Sequence, residues 1–370
     1  MIPVSEPLLS GNEKKYLNDC IDSGWISSDG PYIKKFESSF AQYIGMKHGI
    51  AVSNGTAALE TALFALGIKE GDEVIMPAFT IISCALAVLR LKAKPVLVDI
   101  EPVTWNIDAK KIESKITKNT KAIMPVHIYG HPADMDGILE ISNKYGLAVI
   151  EDSAEAHGAE YKNKKCGSIG CISAFSFYAN KIISAGEGGM VLCNDENLSL
   201  RCRDYRNLCY RPERRFLHRE LGYNFRMSNL QAAVGLAQLE KIDEFLKIKT
   251  EIKNYYKLKL SEIQEITMQT EKEWAKPVFW MCAVLLNEKA KIKADTMINE
   301  LKKEGIDSRA FFLGLHRQPA LNDMGLFNDE QYPETDKAAD YGFYLPSGFT
   351  LKKEEINFIC EKIKLFFFNS

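Results

Sequence analysis

The chain has 370 residues, of which 46% are hydrophobic and 26% charged, and its formal net charge is -2. That composition excludes a disordered chain, and the near balance of charge excludes a general attraction to nucleic acid or to an acidic membrane. The length exceeds one ordinary core and predicts two domains, or one large α/β domain with an appendage.

From residue 48 the predicted elements alternate. HGIAVS reads as a strand, TAALETALFALG as a helix, DEVIMP as a strand, IISCALAVLRL as a helix and KPVLVDI as a strand. A helical DAKKIESKI, the strand TKAIMPVHIYG, the helix DMDGILEISNKYG and the strand LAVIEDS follow, and then two more strands, SAFSFY and GGMVLCN. The strands are nearly continuous in apolar and β-branched residues, as expected where helices cover both faces of a mostly parallel sheet. Ligands of such sheets bind at the carboxyl ends of the strands. From residue 228 the segment SNLQAAVGLAQLEKIDEFLKIKTEIKNYYKLKLSEI reads as one long helix, with Leu236, Leu239, Ile242 and Leu246 on its apolar stripe. Beyond it VFWMCAVLL, ADTMINELKKEGI and KKEEINFICEKIKLFF predict a smaller α+β domain. The expected division is residues 1–235 and 236–370.

Nine cysteines, an odd set without a C-x-x-C pair, read as reduced thiols of a cytoplasmic protein. The start MIPVSEPLLSGNEKKYL lacks the basic and apolar regions of a signal peptide. The apolar IISCALAVLRLKAK is too short for a membrane span and is broken by Arg90.

Three strand ends carry candidate chemistry. VSNGTAAL passes from strand to helix through Ser53, Asn54, Gly55 and Thr56, and free amides with hydroxyls at a helix start suit a phosphate as well as a simple N-cap. VIEDSAEAHG ends a strand in Glu151 and Asp152 and adds Glu155. His127, His131 and His157 are present, but HIYGH lacks the glutamate and helical spacing of a zinc motif, so no metal is expected. The acidic tip then faces solvent or a cation in the cleft, such as a protonated cofactor nitrogen. In FSFYANKIISAGEGGMV, Lys181 has no charged neighbour before Glu187. A partly desolvated lysine becomes a nucleophilic amine able to form a Schiff base. A phosphate cradle, an acid for a ring nitrogen and an amine are together the needs of pyridoxal phosphate.

The segments SNGTAAL, VHIYGHPADMD, EDSAEAHGA, FSFYANK followed by GEGGMV, and GYNFRMSNLQAAVGLAQLEKID resemble the DegT/DnrJ/EryC1/StrS family of sugar aminotransferases. The resemblance runs from PVSEPLLSG to YLPSGFTLKKEEI, essentially the whole chain. It implies fold type I, the aspartate aminotransferase-like α/β fold, with a large mostly parallel-sheet domain and a small α+β domain. It implies pyridoxal phosphate as cofactor, a nucleotide-linked keto sugar and L-glutamate as substrates, and a homodimer with shared active sites. Lys181 would then bond the cofactor, Asp152 would partner its ring nitrogen, and Glu155 would lie near its phenolic oxygen. Gly55, Thr56 and Ser176 would hold the phosphate, with Asn224 reaching it from the other subunit. His316 and Arg309 resemble positions near the nucleotide sugar. Where the family often has an aromatic that stacks on the ring, this chain has Ile81, so either Ile81 packs there or Phe79 moves in. Trp25 and Trp280 read as packing residues, with GWISSDG the better placed of the two to touch sugar. A histidine replaces this lysine in the family's sugar dehydratases, so Lys181 points to transfer of an amino group.

Overall fold

The computed structural model describes residues 1–211, 214–218 and 220–368. Seven strands form the main sheet: β1 (His48–Val52), β2 (Glu73–Pro77), β3 (Lys94–Val98), β4 (Thr120–Ile123), β5 (Ala148–Asp152), β6 (Ile172–Ser176) and β7 (Gly189–Cys193). Their order across the sheet is β1-β7-β6-β5-β4-β2-β3. Neighbours from β6 to β3 are parallel, while β7 is antiparallel to both β6 and β1. A parallel neighbour needs a long crossover. No helix separates β6 from β7, so the chain turns straight back at the carboxyl end of β6. That return loop carries Lys181.

The parallel strands are buried on both faces, which explains their unbroken apolar runs. Hydrophobic clusters lie on each side, one around Phe36, Phe40, Phe175 and Phe177 and another around Ile75, Val149 and Ile138. A separate cluster, with Tyr256, Val284, Met297, Phe343 and Ile359, surrounds a four-stranded antiparallel sheet. Its strands are β8 (Ile266–Met268), β9 (Cys282–Leu286), β10 (Arg309–Ala310) and β11 (Gly342–Leu345), ordered β8-β9-β11-β10. The first residues of the chain run beside this smaller sheet, with Ile2 bridged to Ile306.

Two sequence expectations need correction. The long helix is broken into Asn229–Leu239 and Ile242–Leu260. Lys241 lies at φ -109° and ψ 6°, and its amide reaches back only three residues, to Gln238. Glu240 at the break binds Asn12 and Tyr16, while Asp243 and Glu244 favour a new N-terminus just beyond. The segment TKAIMPVHIYG is a strand only over Thr120–Ile123; Pro125 has no amide to donate, and Ile128–Gly130 forms a 3-10 turn.

The two sheets are tied together at several points. Asp99, just after β3, accepts from the amides of Glu334 and Thr335 and from the Thr335 hydroxyl. It thereby caps the helix Pro333–Tyr341. Lys249, fully buried on Ile242–Leu260, donates to the carbonyls of Trp280 (2.9 Å) and Ser347 (2.5 Å), which flank β9 and β11.

Candidate active site

The turn after β1 enters the helix Gly55–Ala65. Asn54 caps it by accepting from the Ala57 amide at 2.8 Å, and the first-turn amides of Gly55 and Thr56 have no acceptor within the helix. The Thr56 hydroxyl donates to Ser83 at 2.9 Å. A Cβ on Gly55 would stand 2.8 Å from that of Ser176, so only glycine lets the helix start approach the end of β6 this closely.

Glu151 and Asp152 at the tip of β5 point to opposite sides, as alternation along a strand requires. Glu151 is fully buried and accepts from His127 Nε2 and from the amides of Gly167, Ile169 and Gly170, at 2.6–3.0 Å. Because His127 Nδ1 accepts from the Ala133 amide, its proton is on Nε2, directed at Glu151. This pair is a satisfied internal knot. Asp152 faces the other way: Oδ1 accepts from the Ala154 amide at 3.0 Å and Oδ2 from the Cys84 thiol at 3.1 Å. Burial, with the charge of Asp152, pushes the Cys84 thiol well above its ordinary pKa, so it remains a donor.

Lys181 Nζ lies 3.5 Å from Glu155 Oε1 and 3.7 Å from the centroid of the Trp280 ring. Burial lowers the pKa of this lysine, while the charges of Glu155 and Asp152 act the other way. Glu155 is raised, again chiefly by burial, and is held in place by the Tyr129 amide at 2.7 Å. Each group makes the other's charge tolerable.

These groups share one cleft of about 350 Å³ at the carboxyl edge of the main sheet. Gly55, Thr56, Asp152, Glu155, Ser176 and Lys181 all line it, as does Ile81. Phe79 does not: it is fully buried against Tyr129, Phe311 and Phe312, leaving Ile81 as the residue of the two that faces the cleft. Asn224 is exposed, bridged to Asn207, and lies outside the lining of its own chain's cleft. His316 is turned to Asp336 (3.1 Å) and Tyr332, and Arg309 to Asp307 (3.4 Å). Neither reaches the lining, although Tyr344, which pairs with Arg309 across β10 and β11, does. Trp25 is half exposed and away from the cleft.

The sequence reading missed Cys84, Asn180, Phe312 and Tyr344, and took Trp280 for packing only. Only Asn180, adjacent to Lys181, carries a local signal; the others arrive from separate elements.

No group of three or more His, Cys, Asp or Glu among the described residues could hold a metal ion. His157 lies among Phe40, Phe175 and Phe177, where burial, with the charge of Lys181, pushes it down to about 3. Pyridoxal phosphate fits the residues present. Gly55 and Thr56 line the cleft beside Ser176 at a helix start whose first amides suit an anion, Asp152 turns its carboxylate to the lining, and buried Asn180 Oδ1 has no partner among the described residues.

Comparison with known proteins agrees with this geometry. Residues 7–364 match the model of the DegT/DnrJ/EryC1/StrS aminotransferase family. The chain is 47% identical over 319 residues to the GDP-perosamine synthase of Caulobacter vibrioides, covering 86% of each chain. It is 43% identical over 366 residues to that of Escherichia coli O157:H7, covering 99% of this chain and 98% of the relative. Among solved structures, the PLP form of a putative sugar aminotransferase from Streptococcus pneumoniae superposes with a TM-score of 0.93 at 25% identity, covering 100% of this chain and 99% of the other. With fold, cleft and relatives in agreement, the chain belongs to the DegT/DnrJ/EryC1/StrS aminotransferase family and is a pyridoxal-phosphate-dependent transaminase of fold type I.

Proposed function

We propose that this transaminase aminates a nucleotide-linked 4-keto-6-deoxy sugar, GDP-4-keto-6-deoxy-D-mannose, to GDP-perosamine with L-glutamate as donor, for surface polysaccharide such as O-antigen. The observation that carries the reading is the pairing of Lys181 and Asp152 on one cleft, in a chain 43% identical over 99% of its length to a GDP-perosamine synthase. When bound, pyridoxal phosphate supplies a carbonyl carbon that takes the amino group and a ring that accepts electrons. Lys181 Nζ would hold the cofactor through that carbon and, as a free amine, would carry the proton that the transfer moves. Asp152 keeps the ring nitrogen protonated. Gly55, Thr56 and Ser176 bind the phosphate, and Glu155 stands beside the phenolic oxygen. Ile81 covers the ring in place of an aromatic residue.

The working unit in this reading is a cytoplasmic homodimer in which Asn224 reaches the partner's cofactor phosphate. Exposed Phe216, Leu217, Leu221 and Tyr223 near Asn224 support a covering surface there. No helix among the described residues is long and apolar enough to cross a membrane. Arg309 and His316 bind the nucleotide sugar once the cleft is complete. The two units are residues 1–235 and 236–370, the last two of which lie outside the described residues.

The test is incubation of the purified enzyme with L-glutamate and a panel of GDP-, UDP- and dTDP-linked keto sugars, with products identified by mass and NMR. The expected product is the GDP-linked 4-amino sugar. Amination only of a UDP or dTDP sugar, or at C3, overturns the assignment of substrate.

A further inference from the structure

Trp280 stands at an unusual crossing. Its amide donates to the Tyr129 carbonyl at 3.2 Å and the Val278 amide to that of Gly130 at 3.1 Å, laying this segment against the main-sheet loop. Gly130 permits the approach: a Cβ there would meet Val278 Cγ2 at 2.8 Å. The indole Nε1 donates to the carbonyl of Asn180, the residue before Lys181, at 2.7 Å. The Trp280 carbonyl accepts from Lys249, and its ring lies nearly parallel to that of Tyr129, 15° apart. Side chain and backbone are both anchored, and Trp280 is only 3% exposed. The face so fixed is the one that Lys181 Nζ meets at 3.7 Å, with Glu155 also within reach.

We propose that Trp280 is a positioning residue for the reaction, its indole face holding the ε-amine of Lys181 beside Glu155 whenever that amine is not bonded to the cofactor. The inference rests on the assignment of Lys181 as the cofactor-bonding lysine. A proton-carrying amine must hold its proton between pick-up and delivery, and in a dry cleft few groups favour the ammonium. Glu155 offers charge, but its own burial disfavours that charge. An aromatic face favours the ammonium without carrying a charge that must itself be desolvated. A desolvated cation on such a face shifts its protonation equilibrium by roughly 5- to 30-fold, about one pH unit.

The full-length chain, dialysed free of cofactor, is trace-labelled with an amine-acetylating reagent from pH 6 to 11. Acetylation of Lys181 is quantified by peptide mass against an exposed lysine. In Trp280→Met and Trp280→Leu, which keep apolar bulk without a π face, the midpoint for Lys181 should fall by about one pH unit. In Trp280→Phe it should stay near that of the parent, which a merely structural role for the residue would not produce. An unchanged or raised midpoint in whichever of the Met and Leu variants folds overturns the proposal. In parallel, the loaded enzyme is reduced with borohydride and mapped for the cofactor adduct. No adduct on Lys181 removes the underlying assignment, whereas an adduct with an unmoved titration removes Trp280 alone.

Discussion

Adjacent carboxylates at one strand end have opposite fates here. Glu151 spends its acceptor capacity on three amides and a histidine, while Asp152 keeps an edge toward the cleft and takes one amide and one thiol. The difference is register on β5, so the acid that faces the cleft is decided by which residue sits on which face. In the proposed reading, Asp152→Asn retains shape and loses the charge that would hold a proton on the ring nitrogen. Turnover should fall by about a hundredfold or more, in the half-reaction with the donor and in that with the keto sugar alike. Single-turnover spectra with each substrate separate the two; a defect confined to the keto sugar would make Asp152 a substrate contact instead. If, as proposed, the amine is both attachment point and proton carrier, Lys181→Ala should leave the fold intact and abolish turnover. Measurable turnover by that variant without added amine would refute its role.

At the scale of elements, the return from β6 to β7 and the turn after β5 meet around a buried histidine. His157 titrates near 6.5 when exposed and near 3 among the rings of Phe40, Phe175 and Phe177. Between those values the unfolded chain binds the extra proton, so its contribution to stability is fully present above about pH 6.5 and is lost as pH falls toward 3. His157→Leu should therefore flatten the acid side of the stability profile by up to one proton, about 1.4 kcal/mol per pH unit. Urea midpoints at a series of pH values measure this, and identical slopes in both proteins would count against it. Much of this layer was legible beforehand. The main strands announce themselves because burial on both faces writes continuous apolar runs, and Lys181 stands out by the neutrality of its neighbours. The helix break at Lys241 did not, because Leu236, Leu239, Ile242 and Leu246 keep their spacing through it. Two-residue strands such as Ala275–Lys276 carry no period to read. Cys84 and Tyr344 acquire meaning only when the fold sets them beside Asp152 and the cleft.

For the whole molecule, the central question is which copy of the chain supplies Asn224, which is exposed and lies outside its own chain's cleft. Take Lys181→Ala and Asn224→Ala proteins, each inactive alone, and refold them together. If the two residues serve one site from opposite subunits, about half the dimers are mixed and each contains one intact site, so roughly a quarter of the activity returns. No recovery from mixed dimers verified by mass would take Asn224 out of the shared site. Lys249, finally, places a second lysine on Trp280: one lies on its ring, the other holds its carbonyl along with that of Ser347. Burial brings Lys249 down to about 7. The wall that leads into the smaller sheet and the seat of the reactive amine are thus a single part. A displacement of this wall would therefore carry the indole face away from the Lys181 amine, which couples the smaller sheet mechanically to the cleft.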